Sequence, residues 1–378
     1  MSAPLIVLAA GGTGGHMFPA EALARALIAR GIRVALLTDQ RGQAFGEALP
    51  SVEVHRIRAS RMPRYALDRL RAVVEMGLGG LEARRLLRGL APSVVVGFGG
   101  YPSIPTVFAA ALAKIPIVLH EQNALLGRAN RRLASRAQAI ATSYAKVTLV
   151  PAAAHTVLTG NPVRPGVLAV RDIPYAEPAA GGPLSILVTG GSQGARIFSE
   201  IVPAAMALLP PELKARIRIV QQCRPEDIDA ATAEYRAAGI DAELSTFFTD
   251  VPARLAACHL AITRAGASTV AELAVAGRPA ILVPYPFATD DHQTSNAEAF
   301  AQSGGAWVVS QRILTPRLLA DRIAGLAAHP DALARAAEAA RQQGRPDAAD
   351  SFAELVISQI GARSGQPAVR TSLKDIAA

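Results

Sequence analysis

Two cysteines, Cys223 and Cys258, are all that 378 residues contain. Their spacing fits neither a thiolate metal site nor a redox motif, so they read as buried, inert thiols in a reducing compartment. Aromatic residues make up only 4% of the chain. Binding of single strands relies on aromatic stacking platforms, so nucleic acid is not an expected partner despite a formal net charge of +9. An anionic membrane surface or a polyanionic substrate then remains to explain the charge, beside the plain excess of arginine. No apolar run is long enough to span a bilayer: the nearest candidate, Val107 to Leu119, is broken by Lys114 and Pro116. The apolar run after Met1 is short and has no basic leader, so no cleavable signal is expected. The absence of a Gly-Lys-Ser/Thr loop and of His-Glu-x-x-His argues against a Walker-type ATPase and a helical zinc site.

What the chain does have is a unit that occurs twice. Leu5–Ala10 runs into Gly11-Gly12-Thr13-Gly14-Gly15-His16, and Ser185–Thr189 runs into Gly190-Gly191-Ser192-Gln193-Gly194-Ala195. Both read as apolar strand, tight turn and amphipathic helix. A turn without Cβ atoms lets the backbone approach a ligand, and the helix start presents N–H groups, a combination suited to phosphate. The length and a hydrophobic fraction of 51% allow two domains, each with a core.

Strands are expected at 32–38, 52–57, 93–97, 115–120, 137–141 and near 156–158, then at 184–189, 216–220, 242–244, 260–263, 280–283 and 306–309. Pro19 reads as the first position of the first helix and Gly31 as its end. Strands alternating with helices predict an α/β fold, with parallel sheets covered on both faces. Pro165, Pro174, Pro178, Gly181 and Gly182 make 164–183 a linker without regular structure. The expected domains are 1–163 and 184–345, followed by a helix within 346–361 and a loose tail, 362–378.

Several polar groups fall at expected strand ends, the edge where open parallel sheets bind ligands. His16 either caps the first turn or touches a reacting sugar as base, and a helix N-terminus favours its neutral form. His120-Glu121-Gln122-Asn123 and Gly99-Gly100-Tyr101-Pro102-Ser103 each follow a strand. Arg164 would fork onto a phosphate or carboxylate or stand at the surface. Thr269 and Glu272 fit a capping box slightly better than a ribose contact, while Ser268 and Thr269 would suit phosphate at a helix start. Asp290-Asp291-His292 and Asp227-Ile228-Asp229 read as exposed helix starts rather than metal sites. Asp39 ends the second strand, where a nicotinamide enzyme would place a ribose-binding acid, but Met17 occupies the position of the third fingerprint glycine. Residues 58–88 mix Arg61, Arg64, Arg69, Arg71, Arg84, Arg85 and Arg88 with Met62, Tyr65, Val73, Val74, Met76 and Leu78, which suits either an anionic membrane interface or an ordinary basic helix face.

The segments GGTGGHMFPA, GFGGYPS, LHEQNALLGRAN, GNPVR, GGSQGAR, TRAGASTVAE and DDHQTSNA follow one another from about Leu5 to about Ile360. In that order they resemble the MurG family, the bacterial glycosyltransferases that convert lipid I to lipid II in peptidoglycan synthesis. The resemblance implies a GT-B fold, two Rossmann-like domains flanking a deep cleft, with helix 347–357 crossing back to the first domain. It implies an inverting transfer of N-acetylglucosamine (GlcNAc) from UDP-GlcNAc to the 4-hydroxyl of the muramoyl sugar on undecaprenyl diphosphate, without cofactor or metal. On the donor it implies Thr13, Gly14, Gly15, Asn123, Arg164, Ser192, the Phe248 backbone, Ala267, Ser268, Thr269, Val270, Ala271, Glu272, Gln293 and Asn296. The acceptor diphosphate would meet Gly14, Gly15, Gly100 and Tyr101. His16 is the first choice of base and Glu121 the second. The implied setting is peripheral, on the cytoplasmic face of the bacterial inner membrane among cell-wall and division proteins. Alternatives are another GT-B transferase or a UDP-GlcNAc 2-epimerase, a nicotinamide-dependent oxidoreductase, and a non-catalytic membrane scaffold.

Overall fold

A computed structural model describes residues 3–11, 14–39, 49–60, 66–191 and 194–361. The chain forms two compact units, one holding residues up to Pro162 together with the segment from Asp347, the other Val163–Pro346.

Among the described residues, the first unit is built on seven strands: β1 Leu5–Ala9, β2 Arg33–Thr38, β3 Glu53–Arg56, β4 Val94–Gly97, β5 Ile117–Glu121, β6 Ala139–Thr142 and β7 Thr156–Leu158. Their order is β3-β2-β1-β4-β5-β6-β7, and every pairing is parallel. The sheet is covered on both faces, so β1 is apolar throughout instead of alternating. Ile6 and Leu8 enter one core with Leu23, Leu27, Phe352 and Val356. Val7 and Ala9 enter the opposite core with Leu87, Val107 and Leu119. Each fully buried Leu or Ile here contributes roughly 1.5–3 kcal/mol. The helix Ala348–Ile357 packs against the helix Gly14–Ile28, and Arg30 pairs with Asp350 at 2.8 Å.

The second unit repeats the plan with β8 Leu184–Thr189, β9 Ile217–Gln222, β10 Asp241–Ser245, β11 Leu260–Thr263, β12 Ala280–Leu282 and β13 Ala306–Val308. The order β10-β9-β8-β11-β12-β13 is again wholly parallel. In both sheets the chain leaves the first strand outward on one side and returns to its other side with the fourth. That reversal point is where α/β sheets open a crevice for ligands, and a glycine turn follows each first strand.

Two local expectations are corrected. The first helix starts at Gly14, so Pro19 lies inside it. The short glycine turn allows helical backbone well before the proline, which costs one internal hydrogen bond. The stretch from Arg164 is not wholly irregular, since Pro165–Val170 is a helix. Its prolines misled because Pro165 occupies the first turn, where a missing N–H costs nothing. Val167 and Val170 are buried, and this helix packs on the helices Val251–Ala257 and Ala267–Ala276, making it part of the second unit.

Candidate active site

In the first unit the ends of β1, β4 and β5 bring the sequence motifs together. Gly99 and Gly100 follow β4 with φ of +79° and +69°. A Cβ on Gly100 would lie 3.2 Å from His16 Nε2, so the imidazole rests on this turn, where left-handed backbone and close approach both favour glycine. A Cβ on Gly11 would lie 2.8 Å from Pro102 Cβ and 3.0 Å from Asp39 Oδ1. Tyr101 donates its hydroxyl proton to Asp39 Oδ2 at 3.1 Å. Asp39 thus holds the second turn, which removes it from the ribose role weighed above. Gly14 and Gly15 open the helix that carries His16, while Thr13 lies outside the described residues.

The end of β5 is an interior polar cluster. His120, Glu121 and Gln122 are all buried. Gln122 donates from Nε2 to Phe98 O at 2.9 Å and lies 3.0 Å from His120 Nδ1. His120 Nε2 faces Gly160 O at 3.5 Å, so its proton sits on Nε2. Burial lowers the His120 pKa from 6.5 to about 3, against the pull of the Gly160 carbonyl, and the nearby His16 lowers it slightly more. The imidazole is therefore neutral and serves the structure.

Glu121 accepts from Asn123 N at 3.1 Å, Asn123 Nδ2 at 3.0 Å, Gly127 N at 2.8 Å and Asn130 Nδ2 at 2.8 Å. A carboxylate offers about four acceptor sites, so this one is committed to folding the loop 122–127 and aiming Asn123. That is poor placement for a base. Asn130, buried, also donates to His120 O at 3.0 Å. Sequence reasoning gives it no role, although it closes the LHEQNALLGRAN segment as an amide set among arginines.

In the second unit β11 leads through Arg264–Gly266 into the helix Ala267–Ala276, whose N-cap is Gly266 with no side-chain cap. The capping box expected of Thr269 and Glu272 does not form, because the helix is already under way at Thr269. Glu272 instead receives Arg164 through two contacts, Nε to Oε1 at 2.8 Å and Nη2 to Oε2 at 3.1 Å. Burial raises the Glu272 pKa, and Arg164 opposes the rise. Ala267, Ser268, Thr269, Val270 and Ala271 form the first turns of this helix, and the buried Ser268 Oγ has no hydrogen-bond partner.

Around this turn the side chains mostly brace backbone. Arg264 Nη1 donates to Val283 O at 3.1 Å and Pro284 O at 3.2 Å, and its guanidinium lies near the Phe198 and Tyr285 rings. Asn296, expected on the sugar, is completely buried and donates to Ala265 O at 3.1 Å. It supports the turn from beneath, with its amide turned to the Ala265 carbonyl. Gln293 accepts from Tyr285 N at 3.0 Å and stays partly exposed. Phe248 is buried, with the Arg254 guanidinium 3.9 Å above its ring. Ser192 lies outside the described residues. Asp290 and Asp291 adopt φ of 53° and 54°, and Asp291 accepts from the Thr294 hydroxyl at 2.7 Å. Among the described residues, no group of three or more His, Cys, Asp or Glu could hold a metal ion. Cys223 and Cys258 are free and buried. Burial pushes the Cys258 thiol up to about 12, a poor nucleophile.

Two Rossmann-like parallel sheets, each with a glycine turn at its reversal point, make the domain plan of the GT-B class, and the family comparisons assign the chain to the glycosyltransferases within it. The glycosyltransferase family 28 N-terminal domain matches residues 6–142 and its C-terminal domain residues 185–352. The UDP-N-acetylglucosamine–N-acetylmuramyl-(pentapeptide) pyrophosphoryl-undecaprenol N-acetylglucosamine transferase of Rhodospirillum centenum is 58% identical over 368 residues, covering 97% of each chain. The transferase of the same name from Paramagnetospirillum magneticum is 56% identical, covering 96% of this chain and 98% of the relative. The crystal structure of Acinetobacter baumannii MurG superposes with a TM-score of 0.78 at 30% identity, over 94% of this chain and 99% of that one. The chain belongs to glycosyltransferase family 28 and, within it, to the MurG family.

Proposed function

We propose that this enzyme transfers GlcNAc from UDP-GlcNAc to the 4-hydroxyl of the muramoyl sugar of undecaprenyl-diphosphate-linked lipid I, inverting the anomeric centre and forming lipid II. The observation that carries this reading is the near-full-length identity to relatives so named. The site geometry is consistent with it. The start of the helix Ala267–Ala276 directs backbone N–H groups outward, where a diphosphate is stabilised. Arg164 and Ser192 add to the diphosphate side, Glu272 takes the ribose hydroxyls and the Phe248 backbone takes uracil. Asn123 and Gln293 address GlcNAc or the nearby diphosphate. Departure of UDP builds negative charge, which fixed N–H dipoles and a guanidinium stabilise without reorganisation.

The acceptor falls to the first unit. Gly14 and Gly15, which open the helix of His16, and Gly100 and Tyr101, on the turn against which its imidazole rests, would receive the acceptor diphosphate. His16, carried on the first turn of the helix that opens at Gly14, takes the proton of the 4-hydroxyl. The O4–C1 bond forms as the C1–phosphate oxygen bond breaks, and the bonding pair leaves with UDP. Glu121 acts through the loop it folds.

The lipid acceptor calls for a membrane surface. On the helix Ala66–Leu90, Leu70, Val73, Val74 and Leu81 are each more than half exposed, among exposed Arg69, Arg71, Arg84, Arg85 and Arg88. Apolar side chains set among arginines suit an anionic interface. Among the described residues no helix is long and apolar enough to cross a membrane. A peripheral position on the cytoplasmic leaflet, where UDP-GlcNAc is available, follows from the proposed substrates. The test is UDP release followed continuously: release that depends on a lipid-linked muramoyl acceptor supports the reading, and equal release without acceptor contradicts it.

A further inference from the structure

Arg164 and Glu272, assigned to the phosphate and ribose ends of one donor, are bonded to each other in the structure. The contact is two-pronged, at 2.8 and 3.1 Å, and the two side chains are 37% and 13% exposed. A guanidinium presents two parallel N–H donors to a carboxylate. A vicinal diol likewise presents two O–H donors, so Arg164 occupies the place on Glu272 that the ribose would take.

We infer that this pair is a selectivity device: it opens fully only for a ligand that carries a ribose diol and an adjacent phosphate in one molecule. The inference rests on the donor reading above. A ligand with phosphate alone would draw Arg164 away and leave a mostly buried carboxylate without its two hydrogen-bond donors, which is unfavourable. A nucleoside would displace Arg164 from Glu272 but offer the guanidinium no anion. UDP does both at once, since the diol replaces the guanidinium and the diphosphate receives it. The pair thereby disfavours pyrophosphate and uridine, each of which matches only half of the donor.

Calorimetric titration with pyrophosphate, uridine and UDP tests this on the full chain. Glu272→Gln removes the anion while keeping the shape, and should bind pyrophosphate about tenfold more tightly than wild type, the factor given by 1.4 kcal/mol, while binding UDP more weakly. Arg164→Gln should bind uridine more tightly and UDP more weakly. Thermal melts confirm that each variant is folded, and the two variants give independent readings. Weaker or unchanged binding of both half-ligands by the folded variants would overturn the inference while leaving the donor reading intact. Failure of wild type to bind UDP would overturn both.

Discussion

The imidazole of His120 stacks on the ring of Phe352, centroids 4.8 Å apart and planes 23° from parallel. Phe98 meets both rings edge-on, at 5.6 and 5.8 Å. Phe98 directly precedes the Gly99–Gly100 turn on which His16 rests, and Gln122 is bonded to its carbonyl. The C-terminal helix is therefore built into the support of the first unit's motifs. Phe352→Ala should cost about 3–5 kcal/mol and lower transfer activity. Thermal unfolding and turnover measured on the same samples check both effects.

The same cluster imposes a pH dependence. The ring stays neutral in the folded chain down to about pH 3, whereas the unfolded chain protonates it near 6.5. Between those values the unfolded state holds the extra proton, so stability rises with pH and falls on acidification, by up to roughly 1.4 kcal/mol per pH unit. His120→Gln should flatten that slope in urea unfolding between pH 6 and pH 4. A slope equal to that of wild type would contradict the assignment.

Glu121 and His16 should separate kinetically. With four donors on its carboxylate, Glu121 organises the loop 122–127. Glu121→Gln turns an amide N–H₂ toward those donors, so activity should fall at least tenfold, with loss of stability on the order of 1–3 kcal/mol and no change in the shape of the pH–rate profile. His16→Ala should leave stability nearly unchanged and nearly abolish turnover, the loss expected of the group that takes the acceptor proton. Initial rates and urea unfolding of the two variants distinguish the two roles.

Among the described residues, Arg278 is the largest fully buried side chain. Its guanidinium donates to the carbonyls of Leu255 and Ala276 at 2.8 Å, Gly277 and Ala256 at 3.2 Å, and Ile173 at 3.5 Å. It thereby satisfies the ends of the helices Val251–Ala257 and Ala267–Ala276, where a cation is favoured. Arg278→Met should destabilise the second unit by on the order of 3 kcal/mol or more. Arg278→Lys should not rescue it, since one ammonium cannot span five carbonyls. Urea unfolding measures both.

The exposed face of Ala66–Leu90 should govern access to bilayer-bound acceptor alone. Replacing Val74 and Leu81 by Asp, or reversing Arg84, Arg85 and Arg88, should weaken binding to anionic vesicles without affecting transfer to a short-chain, water-soluble acceptor. Vesicle sedimentation beside a soluble-acceptor assay shows whether the two activities separate.

The strands and their parallel order were legible because a sheet covered on both faces needs continuous apolar runs such as LIVLA and SILVT. The glycine turns were legible because left-handed backbone leaves little choice of residue. What stayed hidden was partner choice. Glu272 fits a capping box by spacing, and only the helix start at Gly266 shows that its partner is Arg164, more than a hundred residues away in sequence. Asn296 and Asn123 are equally polar in sequence, yet one is sealed beneath the Ala265 turn and the other stays partly exposed on the loop that Glu121 folds. Arg264 and Arg278 gave no signal because carbonyls, which carry no sequence signature, accept their protons. Pro165 suggested a break where it in fact begins a helix.

The most direct test is transfer of labelled GlcNAc from UDP-GlcNAc to a short-chain lipid I analogue, with the anomeric configuration of the product determined. An acceptor-dependent disaccharide with a β linkage to the 4-hydroxyl is expected, retained in EDTA and nearly abolished in His16→Ala. An α-linked product, or conversion of UDP-GlcNAc that ignores the acceptor, would contradict it.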